Sequence, residues 1–142
     1  MSNINFEIVT PERVVLKQEV RQISVPTKQG EITVLPHHIQ LIASLQAGVI
    51  EIISSENKTD TMAVSGGFIE VLPNKVVILA DTAERAADID EARAEEARKR
   101  AEEMMKERKE AVDFTAVQAK IEKEFARLKA VRRYKRHREV VK

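Results

Sequence analysis

The chain has 142 residues and 16.1 kDa, room for one ordinary domain or two small ones, and its 33% charged and 43% hydrophobic residues exclude collagen-like, mucin-like and disordered chains. A net charge of +1 hides an asymmetry: residues 1–86 carry 7 Lys/Arg against 10 Asp/Glu, residues 87–142 carry 17 against 13, and from Phe114 onward the count is 10 against 3. No cysteine is present, which excludes disulfides, thiol catalysis and cysteine-ligated zinc or iron–sulfur sites, and neither a secretory leader nor an apolar run of about 18 residues is found.

The first half reads as short strands. Asn5–Val9, Arg13–Leu16, Val20–Val25, Glu31–Leu35, Leu41–Leu45, Val49–Ile53, Thr59–Val64, Phe68–Leu72 and Lys75–Leu79 are rich in β-branched side chains and are bounded by Gly, Pro, Asn or Ser. All four glycines and all four prolines lie before residue 74, so the architecture changes between Val76 and Asp88. Strands this short and this numerous bury a core best as two packed sheets, a sandwich or flattened barrel. Ser65-Gly66-Gly67 lacks the glycine two places before the serine that a nucleophile elbow needs, and reads as a join between strands.

The second half reads as helix. Asp88 and Glu91 have capping-box spacing, and Thr115 and Gln118 offer a second box. One apolar stripe runs Ala94, Ala97, Ala101, Met104, is interrupted at Arg108 and resumes at Ala111; a bulkier one runs Phe114, Val117, Ile121, Phe125, Leu128, Val131. Two such helices fold most simply as an antiparallel hairpin with a turn near Val112-Asp113. Alanines bury little, at about 0.8 kcal/mol per methylene. The helix–helix contact is therefore expected to be marginal, and a continuous helix of about 50 residues, ~75 Å long at 1.5 Å per residue, is the competing form.

Catalytic and metal-binding constellations are missing. There is no phosphate-binding glycine loop, dinucleotide fingerprint or H-E-x-x-H. His37 and His38 are adjacent and so chelate one ion poorly, while His137 lies far off in the basic tail. That tail suits a helix C-terminus, a nucleic-acid contact or an acidic protein surface. The residues alone define an α+β chain, a β-sandwich followed by a helical hairpin, acting as a binding or structural module.

Several runs, taken together and in order, resemble the epsilon subunit of bacterial F-type ATP synthases. They are Ile8-Val9-Thr10-Pro11-Glu12, Gly30-Glu31 leading to Leu35-Pro36-His37-His38, Ala63 to Val71, Ile78 to Ala86, and Ile89-Asp90-Glu91-Ala92-Arg93-Ala94. The resemblance implies an antiparallel β-sandwich of about ten strands over residues 1–86 and a regulatory two-helix hairpin over 87–142. It implies a non-catalytic central-stalk subunit, peripheral at the cytoplasmic face of the membrane, that binds the gamma subunit and the c-subunit ring. Glu31 and His38 match the end facing the c ring, although His37 stands where glycine is usual and Gln40 where proline is usual.

The resemblance also implies a brake. The hairpin permits ATP hydrolysis when folded and blocks it when extended, with Lys120, Lys123, Arg127, Arg132 and Arg133 as candidates to meet an acidic stretch of the beta subunit. No cofactor is required. In some members ATP binds the folded hairpin as a regulatory ligand; the positions matching that motif are Glu84, Ile89, Asp90, Arg93, Ala94 and Arg127, with Lys123 where a second arginine is typical.

Overall fold

The computed structural model describes residues 2–107 and 111–141, the side chains of residues 111–113, 140 and 141 excepted. Nine strands come first: β1 (Ile4–Val9), β2 (Val14–Thr27), β3 (Gly30–Val34), β4 (Leu41–Leu45), β5 (Gly48–Ser54), β6 (Thr59–Val64), β7 (Gly67–Val71), β8 (Lys75–Ala80) and β9 (Ala83–Arg85). A single 3-10 turn, Ala86–Asp88, leads to α1 (Glu91–Glu107) and α2 (Ala111–Val141).

The nine strands among the described residues agree with the expected sandwich, and two boundaries differ from expectation. Arg13–Leu16 and Val20–Val25 are parts of one 14-residue strand, because the polar Lys17, Gln18 and Glu19 stay extended against Glu7, Phe6 and Asn5. Along β2 the buried positions change phase, from Leu16 and Val20 to Ile23, Val25 and Thr27. A register shift between Val20 and Gln22 accounts for this, since one extra residue turns every later side chain to the other face. The added strand, β9, pairs with β6 from Ala83 to Arg85.

The first part of β2 pairs with β1, and the second part pairs with β3 and β5. β1 also lies beside β8, so the sheet closes on itself as β1-β8-β7-β4-β2, and β5, β6 and β9 extend from β2. The β1–β8 pair is parallel, an exception to the expected antiparallel pattern. These strands are far apart in sequence, so no hairpin dictates their direction. Between the layers Phe6, Ile8, Ile23, Ile50, Ile52, Met62, Ile69 and Ile78 are fully buried. Each such side chain contributes roughly 1.5–3 kcal/mol of burial. Gly67, the first residue of β7, has φ +127°, and a Cβ there would sit 2.0 Å from the Leu79 carbonyl oxygen of β8.

The helices pack against each other and run antiparallel: Lys135 pairs with Glu91, the Arg98 guanidinium lies 5.3 Å from the centre of the Phe125 ring, and Ala101 packs on Val117 and Ile121. The α1 cap is not Asp88, which belongs to the 3-10 turn, but Asp90, whose Oδ1 accepts the Arg93 N–H at 3.2 Å. Thr115, Val112 and Asp113 all lie inside α2, so neither the second capping box nor the expected turn falls there. Arg108 and the Ala111 side chain lie outside the described residues.

Ala94 and Ala101 are buried, whereas Met104 is exposed and Met105 packs beside Ala101 instead. On α2, Val117, Ile121, Leu128 and Val131 are buried as expected, but Phe114 and Phe125 are exposed. The helix position between Ile121 and Leu128 on the buried stripe is taken by Glu124, and Phe125 falls about 100° out of line.

Candidate functional site

The outer face of β5, β6 and β9 presents two cross-strand rows. Val49, Ala63 and Glu84 are paired neighbours in one, Glu51 and Thr61 in the next. α2 lies across this face. Ala130 is fully buried against Val49, Ala63 and Ala86, with Ile89 and Tyr134 closing the contact. Small side chains on both partners bring helix and sheet close together.

Charged groups flank that apolar contact. Arg127 donates through Nε to Glu84 Oε2 at 2.7 Å and through Nη1 to Glu124 Oε2 at 2.9 Å. Burial works against the Arg127 charge, but the hydrogen bond to Glu124 and the carboxylates of Glu84 and Glu124 raise its pKa above the ordinary value. Further along, Arg133 lies 3.8 Å and His137 3.4 Å from Glu51 Oε2. On α1, Arg98 bridges Glu95 and Glu102; the hydrogen bond from Arg98 holds the Glu95 carboxyl below its usual range. Thr61 Oγ1 is buried and has no hydrogen-bond partner among the described residues.

Most positions matching the nucleotide motif are already engaged. Glu84 and Arg127 pair with each other, Asp90 caps α1, Ile89 packs in the helix–sheet contact, and Ala94 is fully buried. Arg93 is exposed and Lys123 half-buried; among the described residues no hydrogen bond or ion pair joins Asp90 or Arg93 to Arg127. Lys120 and Arg132 face solvent, and Arg133 is held by Glu51. Glu124 and Glu51 complete the site without having been singled out, and His137, weighed in the sequence only as a metal ligand, joins them. Glu124 carried a readable signal in its place on the buried stripe, and Glu51 sits between the buried Ile50 and Ile52, where a strand turns one residue outward.

Glu31 and His38 lie at opposite ends of β3, which among the described residues pairs only with β2 and so forms an edge. Glu31 is exposed; His38 follows the strand, in a loop where His37 takes the left-handed conformation, φ 68°. Beside them Leu35 and Ile39 are exposed. A second exposed apolar surface covers β4, β7, β8 and β1. Register places Phe68, Leu79 and Val9 in one row and Ile42, Glu70, Val77 and Glu7 in the next. Ile42 is 71% exposed, Phe68 54% and Leu79 51%. Ser44, Glu70 and Glu7 share these rows, so the face mixes exposed apolar side chains with polar ones.

Among the described residues no group of three or more His, Asp or Glu is placed to hold a metal ion, and no helix is long and apolar enough to cross a membrane. A closed sandwich that carries a helical hairpin on one face and bares an apolar surface on another defines a binding module. Residues 3–86 match the beta-sandwich domain of the ATP synthase delta/epsilon chain and residues 87–132 its long alpha-helix domain, so the chain belongs to the ATP synthase delta/epsilon family. It is 49% identical over 132 residues to the ATP synthase epsilon chain of Chloroflexus aggregans, covering 93% of this chain and 94% of that one. It is 47% identical over 130 residues to that of Moorella thermoacetica, covering 92% and 97%. The fold resembles a chain in the Euglena gracilis mitochondrial ATP synthase OSCP/F1/c-ring structure, with TM-score 0.78 at 22% identity over 89% of this chain and 79% of that one. A chain of the Tetrahymena thermophila central stalk/c-ring structure gives 0.59 at 15% identity over 92% and 97%.

Proposed function

We propose that this chain is a non-catalytic rotor subunit of an ATP synthase central stalk, peripheral at the cytoplasmic face of the membrane, and that its helices act as a brake on ATP hydrolysis. The observation that carries the reading is the exposed apolar face of β4, β7 and β8, with Ile42, Phe68 and Leu79 bared beside a filled core. That face is the grip for the gamma subunit. The β3 edge, with Glu31, His38, Leu35 and Ile39, is the contact for the c ring. A subunit that carries torque needs a stiff core and complementary faces rather than reactive side chains.

The brake draws on the ion pairs of α2. Arg127 and Arg133 are held by Glu84, Glu124 and Glu51 in the folded form. In the extended form, with Lys120, Lys123 and Arg132, they meet an acidic stretch of the beta subunit. The chain's own carboxylates and the partner's compete for the same guanidinium groups, so the two forms differ by the small balance of two similar sets of contacts.

An ATP synthase head of alpha, beta and gamma subunits lacking this chain supplies the test. The full chain is expected to bind and slow hydrolysis, Phe68→Glu to lose binding, and a chain ending at Ala87 to bind without slowing it. Equal binding by Phe68→Glu removes the gamma grip from this face; equal inhibition by the shortened chain removes the brake from the helices.

A further inference from the structure

We propose that Met105, near the C-terminal end of α1, is a modification site for hydroperoxides, and that its oxidation to the sulfoxide loosens the far end of the helical hairpin. Met62 is fully buried between the layers of the sandwich, whereas Met104 and Met105 are neighbours on α1. Met104 is 40% exposed and Met105 half-buried, so a small oxidant reaches this part of α1 from solvent.

The two neighbours differ in what they touch. Ala94, Ala101 and Met105 follow one another at spacings of seven and four and so share a face of α1, and Met104 falls about 100° from Met105. Ala94 and Ala101 are buried, and Met105 packs on the cluster of Ala101, Val117 and Ile121. The remaining apolar residues of α1 are Ala92, Ala97 and the exposed Met104. Met105 is therefore the one large apolar side chain that α1 brings to its contact with α2.

Polar contacts hold the other end of α1. Lys135 pairs with Glu91, and the Arg98 guanidinium sits over Phe125. From Ala101 to Glu107, among the described residues, no ion pair or hydrogen bond crosses to α2; Glu102 pairs within α1, with Arg98. That end is held by the apolar contact.

In the reaction the Met105 sulfur attacks a hydroxyl oxygen of hydrogen peroxide. The S–O bond forms as the O–O bond breaks, and the sulfur loses two electrons to the peroxide. The departing oxygen takes the proton of the transferred one and leaves as water. The polar sulfoxide then faces Ala101, Val117 and Ile121, whose side chains offer it no hydrogen bond. The cost falls on the docked form alone, because an undocked α1 gives the sulfoxide to water. Met104 is exposed in the docked form already, so its oxidation shifts little. That a looser α1 bears on a brake rests on the reading of the helices given above; the oxidation and the loosening do not.

The test treats the folded full chain with millimolar hydrogen peroxide. Mass spectrometry with fragmentation assigns each added oxygen, amide hydrogen exchange reads the helices, and circular dichroism checks the fold of each variant. Met104 and Met105 are each expected to gain one oxygen before Met62 does. Exchange across residues 101–107 is expected to quicken about tenfold, the low end of what an unpaired buried polar group costs, with the sheet amides unchanged. Met104→Leu is expected to keep this response, Met105→Leu to abolish it, and Met105→Gln to show fast exchange without peroxide. Methionine sulfoxide reductases are expected to restore slow exchange. Met62 oxidised as readily as Met105, Met105 oxidised with exchange unchanged, or a response that persists in Met105→Leu each overturns the proposal.

Discussion

Arg127 on α2 and Glu84 on β9, 43 positions apart, are joined by a 2.7 Å hydrogen bond, and among the described residues the same guanidinium is the only cation paired with Glu124, a carboxylate just 5% exposed. One side chain thus ties the helices to the sheet and neutralises an acid buried on the helix stripe that faces α1.

Removing that cation strands Glu124. Arg127→Leu is expected to destabilise the docked helix by about 3 kcal/mol, as breaking one side of a buried pair does. Arg127→Leu with Glu124→Leu is expected to restore most of it, because no uncompensated charge is left behind. Hydrogen exchange of the α2 amides measures both. A double variant as weak as the single one would show that the pair, rather than the buried charge, sets the docking.

The Thr61 hydroxyl has no partner among the described residues, and its residue is 1% exposed. Thr61→Val keeps the shape and removes the unsatisfied group, and is expected to stabilise the chain by about 1 kcal/mol. Urea unfolding reads this directly, and a loss of stability speaks for a bound water at the hydroxyl.

Acid acts on the β1–β8 pairing. The hydrogen bond from Lys75, 2.8 Å away, more than offsets burial and, with the charges of Lys75 and Lys17, holds the Glu7 carboxyl below its ordinary value of 4.5. A depressed folded pKa contributes stability that is whole above the unfolded value and fades as pH falls through the folded one. The stability gap between the native chain and Glu7→Gln is therefore expected to hold constant from neutral pH to about pH 5 and then to shrink. A gap that widens in acid contradicts this assignment.

His37, a non-glycine residue, adopts φ 68°, in the left-handed region. His37→Gly relieves a left-handed conformation costing roughly 1–2 kcal/mol, offset by glycine's extra freedom when unfolded and by the lost 3.2 Å contact with Ser2 Oγ. A net gain of about 0.5 kcal/mol in thermal unfolding is expected.

Much of this was readable from the residues. The change from sheet to helix was visible because glycine and proline stop at Pro73, and most strands because β-branched runs alternate with turn residues. β2 was split in two because Lys17-Gln18-Glu19 reads as a loop when its partner strand is unknown. The α1 cap was misplaced by two residues because Asp88 and Asp90 both suit it, and only the 3-10 turn separates them. The second helix buries two faces, one on α1 and one on the sheet. A search for a single stripe finds the first, with two phenylalanines in excess, and overlooks Ala126, Ala130 and Tyr134 at spacings of four. Glu124 escaped because a carboxylate is expected in water. The alanine stripe belongs to α1, which rests on α2, whereas α2 has the sheet beneath it as well.

The 14-residue strand β2 has a mechanical consequence. Sandwich layers joined by side chains alone can slide, because apolar contacts have no direction. Here one backbone is hydrogen-bonded to β1 at one end and to β3 and β5 at the other, and β1 returns to β8 on its far side. Sliding one layer past the other must break ladder bonds along that shared strand. Twist applied at the bare face of β4, β7 and β8 therefore reaches the β3 edge through hydrogen bonds loaded in shear, with little slack to take up first.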